Sequence, residues 1–248
     1  MQQITNRFTF GGTLLGLGIA GGLILSSMQI TKVWLHIADS QVISVTGSAR
    51  QDVTSDLAIW SANYSAEAET MVEAQQKLKA YSEKVTAFFK EHNATNVEIS
   101  AIGILRLKPQ SPQSFGDDSD KKTIGYHLQQ NIHLESGDLQ RVMELQQRSV
   151  GLVEQGVELD DQGIQFIYTK TAEAKIEMLA AATKDARQRA EQIASQGGRK
   201  IHGLKSAKMG VFQITGRNSN ETSAEGINDT SARDKSIRAV VSASFTME

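Results

Sequence analysis

The chain has 248 residues, of which 40% are hydrophobic and 22% are charged, a composition typical of a folded protein and unlike that of a disordered one. Its 26 basic and 28 acidic side chains leave a net charge of −2, which excludes a general basic field for nucleic acid. Cysteine is absent, so disulfides, thiolate metal sites and a cysteine nucleophile are excluded.

The N-terminal segment is predicted to be a membrane anchor. Residues 8–31 form an uncharged run of 24 residues between Arg7 and Lys32, long enough as a helix to cross about 30 Å of hydrocarbon. We predict that residues 1–38 are a single-pass anchor with its juxtamembrane segment, and that residues 39–248 form a domain outside the cytoplasm, in a periplasm or in the open medium. The N-terminal amine and Arg7 favour a cytoplasmic N-terminus. A cleaved signal peptide is the alternative, but no A-x-A-like site follows promptly.

Glycines in the predicted anchor have a spacing that suits helix association. Gly12 and Gly16 form one G-x-x-x-G pattern, and Gly18 and Gly22 form another. Because glycine lets two helices approach closely in lipid, this spacing predicts packing between the anchors of neighbouring copies.

The body begins with two predicted strands and a helix. Residues 42–49 and 57–67 are predicted as the strands of a hairpin joined at 52–56. Thr70 and Glu73 form a capping box that begins the helix. Apolar residues of this helix recur at spacings of three and four, which predicts one buried face: Met71, Ala74, Leu78, Tyr81, Val85 and Phe88.

Two further strands are predicted at 97–108 and 124–134, on either side of an exposed polar tract at 109–122. Apolar and polar residues alternate in the second of them. His127 and His133 share its polar face, but they are separated by about 20 Å at ~3.3 Å per residue, so they are not expected to bind one metal ion.

The rest of the body continues the alternation of helices and strands. We predict a short helix after 136–138, a strand at 163–168, a long helix at 171–195 ended by Gly197 and Gly198, and strands at 202–215 and 235–247. The predicted inward stripe of the long helix is Ala172, Ile176, Leu179, Thr183, Ala186, Ala190 and Ile193.

This order of elements, β-β-α-β-β-α-β-α-β-β, predicts an α+β fold. Short connections between successive strands favour a mostly antiparallel sheet, with the amphipathic helices packed on it. No composition break divides the body.

The polar segment at 215–234 is the candidate functional loop. It has almost no apolar side chain, and loops of this length are disordered or functional. Its charged and amide side chains are the candidates for contact with a partner: Arg217, Asn218, Asn220, Glu221, Asn228 and Asp229.

Motifs for catalysis, metals and cofactors are missing from the sequence. No nucleophile elbow, P-loop or dinucleotide fingerprint is present. Asp117, Asp118 and Asp120 resemble part of a calcium loop, but the glycine and distal glutamate of such a loop are absent. We therefore expect a protein that is not an enzyme and takes no cofactor, metal or nucleic acid.

Several segments together resemble the SIMPL-domain family, bacterial envelope proteins of unknown function that include the periplasmic immunogenic protein. They are VISVTGSARQDVTSDLAIW at 42–60, Gly125-Tyr126, ATKDARQRAEQIAS at 182–195 and GVFQITGRNSNETSAEGINDTSARDKSIRAVVSASF at 210–245. Each motif is short, but their order and spacing extend over nearly all of the body.

The resemblance implies an exported α+β domain with no established catalytic residues, and self-assembly into a ring or channel-like homo-oligomer. The leading hypothesis is thus a membrane-anchored protein that assembles with itself and has a structural role in the cell envelope. One alternative is an adaptor or ligand-binding module that recruits a partner through the 215–234 loop. Another is a hydrolase whose site has no sequence signature.

Overall fold

The structure, a computed structural model, describes residues 41–109 and 123–247. The predicted anchor with its four spaced glycines, the 38/39 domain boundary and most of the polar tract at 109–122 lie outside the described residues. The described chain forms two compact units. The small unit comprises 41–49, 179–210 and 240–247, and the large unit comprises 50–109, 123–178 and 211–239.

The described residues contain nine strands and four helices, in the predicted order apart from two split strands and an added short helix at 150–154. They are β1 (Val42–Thr54), β2 (Leu57–Ala68), α1 (Met71–Glu91), β3 (Val97–Ile99), β4 (Gly103–Leu107), β5 (Gly125–Ser136), α2 (Leu139–Arg148), α3 (Val150–Glu154), β6 (Leu159–Ile167), α4 (Thr171–Gln196), β7 (Ile201–Met209), β8 (Gln213–Gly216) and β9 (Asp234–Met247).

The large unit is built on an antiparallel sheet in the order β3-β5-β2-β6, with β4 also paired to β5. Alternate residues of β2 are buried beneath α1 and α2: Ala58, Trp60, Ala62, Tyr64 and Ala66. The two aromatic side chains keep their polar atoms paired, since the Trp60 Nε1 donates to Asp161 at 2.8 Å and the Tyr64 hydroxyl donates to Gln130 at 2.9 Å.

Helix α1 begins as predicted. The Thr70 hydroxyl accepts from the Glu73 amide at 3.3 Å, and Asn93 adopts a left-handed φ of 49° just after the helix. The buried face includes four of the six predicted residues and adds Phe89: Ala74, Leu78, Val85, Phe88 and Phe89.

The predicted hairpin between the first two strands is wrong. β1 pairs with β9, whereas β2 pairs with β5 and β6. The two residues that join β1 to β2 direct their amides to different partners: Ser55 donates to the carbonyl of Arg233, and Asp56 donates to that of Ile167. The link therefore carries the chain from one sheet to another and does not close a turn.

Two of the predicted strands are each split in two. The strand predicted at 97–108 becomes β3 and β4, and the strand predicted at 202–215 becomes β7 and β8. Between β3 and β4 the Ser100 amide still donates to Asn131 of β5. Between β7 and β8 the Gly210 amide donates to Val240 at 2.8 Å.

The small unit is a sheet in the order β1-β9-β7 with α4 on one face. The alanines at 182, 186 and 190 pack on Val241, Ala243 and Phe245. The predicted stripe of α4 is right at Ala186 and Ala190 but otherwise wrong in its rotation, because every fourth residue is buried: Ala174, Met178, Ala182, Ala186, Ala190 and Ala194. Ile176 is 72% exposed and Ile193 is 56% exposed.

A close approach between β1 and α4 accounts for this rotation. A Cβ on residue 47 would lie 2.2 Å from the Ala182 carbonyl and 2.3 Å from the Ala186 amide. At that separation only small side chains fit on α4 beside Gly47, so the larger isoleucines lie outside the contact.

No helix within 41–109 and 123–247 combines the length and the apolar character needed to cross a bilayer.

Gly47→Ala is expected to destabilise the protein by about 1–3 kcal/mol, because the new methyl group forces β1 and α4 apart. Urea unfolding followed by circular dichroism measures the effect. Gly151→Ala is the matched control, since a Cβ there meets no atom within 4 Å. Equal unfolding midpoints for the two variants would show that the close contact at Gly47 does not hold α4 in place.

Candidate functional site

The candidate loop lies between β8 and β9 in the large unit, and we define it as residues 217–233. β8 and β9 form an antiparallel pair in which Gly216 lies opposite Lys235. Both ends of the loop are thus fixed at adjacent positions of one ladder.

The second half of the loop is bonded to neighbouring strands. Asp229 donates its amide to Ile214 at 2.9 Å, and Ile214 donates to Ile227 at 2.7 Å. Phe166 of β6 donates to Thr230 at 2.7 Å. These backbone bonds tie residues 226–233 to the frame, and we call this part the loop base.

Asp229 organises the loop base. Its Oδ1 accepts from the Ser231 amide at 2.6 Å, the Ser231 hydroxyl at 2.8 Å and the Ala232 amide at 3.3 Å. Burial raises the pKa of Asp229, but these bonds and the charge of Lys235 outweigh it and hold the pKa below its ordinary value.

Lys235 lies beneath the loop base and is 1% exposed. Its Nζ donates to the carbonyl oxygen of Asp229. Burial lowers the pKa of Lys235, and the Asp229 carboxylate opposes that shift. A buried lysine is costly unless it has a partner, so this bond couples the loop base to β9.

Arg217, at the start of the loop, is paired with β1. Its Nε lies 3.6 Å from Asp52, and its carbonyl accepts from the Arg50 guanidinium at 2.8 Å. These groups are about half exposed, so the ion pair adds little stability. The carbonyl bond nevertheless fixes where the loop leaves the sheet.

The first half of the loop is exposed. Asn218, Asn220 and Glu221 present their side chains to solvent, and the Glu221 amide donates to Ser219 at 3.1 Å. We call residues 218–225 the loop tip.

The six predicted residues therefore do not act as one group. Asn218, Asn220 and Glu221 belong to the exposed tip. Asp229 is held in the base, where its carboxylate is used within the loop, and Asn228 is exposed while its backbone forms a bridge with Ile214.

Two residues with a shifted pKa were not among the predicted ones, and one of them, Lys235, bonds to the loop base. Asp56 accepts from both the amide and the hydroxyl of Thr169, at 2.7 and 2.8 Å. Burial raises the pKa of Asp56, but these bonds and Lys170 bring it below its ordinary value. The burial of Lys235 could have been inferred from the sequence, because alternate strand residues share a face and Lys235 is in phase with the buried Ile237 and Ala239.

The two strand histidines belong to cross-strand polar pairs. His127 Nδ1 lies 2.9 Å from Glu67 Oε1, and His133 lies opposite Glu98. Within the described part of the chain, no group of three or more histidine and acidic side chains is arranged to hold a metal ion. What the loop tip can do chemically is to donate and accept hydrogen bonds from a fixed frame.

Comparison with known proteins identifies the family. The model of the family described as "SIMPL: Protein of unknown function (DUF541)" matches residues 43–245. The chain belongs to the SIMPL family. The resemblance seen in the sequence is thereby confirmed, and this SIMPL protein has an α+β fold with antiparallel sheets and helices packed on them.

Other comparisons add little. A search of curated proteins finds no match. One similar solved structure is an amidase of the hydantoinase/carbamoylase family from Burkholderia phymatum, with 12% identity, 53% of this chain and 33% of that chain covered, and a TM-score of 0.25. This SIMPL protein thus spans about a third of that amidase, and the likeness carries no argument about its function.

Asp229→Asn is expected to lower the free energy of unfolding at pH 7 by about 1.5–3 kcal/mol, the range for hydrogen bonds to a charged group. Because its folded-state pKa is lowered, the charged carboxylate stabilises the fold above the unfolded pKa of about 3.9. That contribution is lost as the pH falls through the folded pKa. Urea unfolding from pH 7 to 3, followed by Trp60 fluorescence in a Trp34→Phe background, measures it.

Glu221→Gln is the control, since it makes the same chemical change at the exposed tip and is expected to stay within about 0.5 kcal/mol of the parent. A difference between Asp229→Asn and the parent that grows as the pH falls would contradict the assignment.

Proposed function

We propose that this SIMPL protein is a single-pass membrane protein whose domain lies outside the cytoplasm, assembles with copies of itself and has a structural, non-catalytic role in the cell envelope. The uncharged run at 8–31 supports the membrane part. The G-x-x-x-G spacing within that run supports contacts between neighbouring anchors.

The observation that carries the assembly part is an apolar surface on the ribbon formed by β4 and β5. Ile104 lies opposite the buried Leu128 and shares its face of the sheet, yet Ile104 is 54% exposed. Leu105, the next residue of β4, is 61% exposed, and Ile124, just before β5, is 57% exposed. Large apolar side chains exposed together at one edge of a sheet are typical of protein interaction surfaces.

Covering this surface with a second copy would remove apolar area from water, worth roughly 25 cal/mol per Å². Leu105 and Ile104 are consecutive in β4, so they point to opposite faces of the ribbon. This edge of the sheet therefore offers apolar contacts on both faces, which suits a contact with a second copy.

The full-length chain is expected to stay in membranes washed with alkaline carbonate and, after extraction into detergent, to have the uniform mass of an oligomer by light scattering. The double variant Ile104→Asn, Leu105→Asn is expected to have a smaller mass, because it removes the apolar surface of the ribbon.

Ile176→Asn is the matched control, since Ile176 is also an exposed isoleucine but lies on α4. Release of the chain by carbonate would contradict the anchor, and a monomeric mass for the wild-type chain would contradict assembly. A monomer would favour the second candidate, an adaptor, for which the exposed loop tip on its fixed base is the supporting observation.

A further inference from the structure

The outer edge of β1 in the small unit is a second candidate for self-association. The order β1-β9-β7 puts β1 and β7 at the two edges of this sheet. Among the described strands, none pairs with residues 42–49 on the side away from β9. The unpaired N–H and C=O groups of such an edge are a template for another strand.

The ladder with β9 shows which backbone groups face outward. Met247 donates its amide to the carbonyl of Gln41 at 2.9 Å. Because hydrogen-bonded positions alternate in an antiparallel pair, odd-numbered residues of β1 bond to β9 and even-numbered ones point away from it. Val42, Ser44 and Thr46 therefore direct their amides and carbonyls to the free edge.

Helix α4 limits the number of backbone groups that are free at this edge of β1. The Ser48 amide, next in the outward-facing series, donates to Asp185 Oδ2 at 2.8 Å. This bond, together with Arg189, holds the pKa of Asp185 below its ordinary value. The carboxylate that accepts from the Ser48 amide is therefore charged at neutral pH. The free row thus comprises three residues and is centred on Ser44.

The two edges of the sheet differ in how they are protected. β7 carries Lys205 and Lys208, both exposed, and its register with β9 shifts at two places. Lysines and bulges are devices that block pairing between edges. Residues 42–49 of β1 contain no charged side chain, so two such strands bring no like charges of their own together.

Space for a second strand lies beside this edge. An open groove of about 860 Å³ runs between β1 and α4. Ile193, which is 56% exposed, borders the groove on the helix side, and Val45 borders it on the strand side. A strand placed there would cover apolar surface in addition to forming backbone bonds.

We propose that residues 42–46 of two copies pair antiparallel, with Ser44 opposite Ser44 of the second copy. This register uses all three outward-facing residues of each strand and puts Val42 opposite Thr46. The contact is two-fold symmetric and rests on the proposed self-assembly. This contact joins copies only in pairs, so a larger closed assembly needs a second contact surface.

A second copy fits this edge better than an unrelated strand. The outward-facing residues Val42, Ser44 and Thr46 are evenly spaced about Ser44. Two copies of this strand can therefore pair antiparallel with all three residues of each strand in use. Copies anchored in one membrane also have a raised effective concentration, which favours a short contact.

The edge is tested on the full-length chain in detergent by light scattering. Thr46→Pro removes an outward amide while leaving the bonds to β9 in place, and Thr46→Lys adds the kind of charge that protects β7. Both are expected to halve the mass of the assembly, with unchanged circular dichroism. Thr46→Ala keeps the amide and is expected to keep the wild-type mass.

A cross-link supplies an independent readout, because the chain has no cysteine of its own. Paired Ser44 residues would have Cα atoms about 5.5 Å apart, within reach of a disulfide. Ser44→Cys is therefore expected to give a covalent dimer on oxidation, and Ser206→Cys on β7 is expected to give none.

The outcomes separate this edge from the broader proposal. A wild-type chain that assembles, with Thr46→Pro and Thr46→Lys at the wild-type mass, would overturn the edge and leave self-assembly standing. Equal cross-linking of the two cysteine variants, or cross-linking of Ser44→Cys to another protein, would also overturn it. A monomeric wild-type chain would overturn both.

Discussion

The hydrogen-bond ladder of β9 is the constraint on which the rest of the structure depends. This strand pairs with β1 along one side, and with β7 and then β8 along the other. Its odd-numbered side chains from Lys235 to Phe245 are buried. Since a slip of one residue would turn all of them to the opposite face, the register of the neighbouring strands is fixed by this pattern. The ends of the loop at 217–233 are fixed with it.

Local patterns predicted the elements well. The alternation in β2 and β5, the cap at Thr70 and the stop at Gly198 all depend on residues close in sequence, so their signals are visible there. Antiparallel pairing with helices on the sheets followed from the order of elements. Which strand pairs with which did not, because β1 finds its partner almost 200 residues further along the chain.

The errors share a physical cause, which is that contacts distant in sequence decide between locally equivalent choices. The periodicity of α4 allowed either its isoleucines or its alanines to face the sheet, and the close approach at Gly47 selects the alanines. The acceptor for Lys235 was equally hidden, since a buried ammonium needs one and the carbonyl of Asp229 comes from the loop. Composition indicated that the loop is polar, but only the geometry separates its base from its tip.

This division explains how a polar segment can be both ordered and available. The base satisfies its polar groups within the large unit, through Asp229 and the backbone bonds to Ile214 and Phe166. The tip leaves Asn218, Asn220 and Glu221 in solvent on a frame that has already lost its conformational freedom. Binding of a partner to the tip would therefore cost less conformational entropy than binding that must order the whole loop.

Hydrogen exchange of the full-length chain, read by mass spectrometry, tests most directly whether β9 and the loop base form one framework. The slowest exchange is predicted at 237–245, with protection at 226–233 and fast exchange at 218–225, because protection follows the hydrogen bonds that anchor each segment. Exchange at 226–233 as fast as at 218–225 would contradict the account, since the base would then not be held by the ladder of β9.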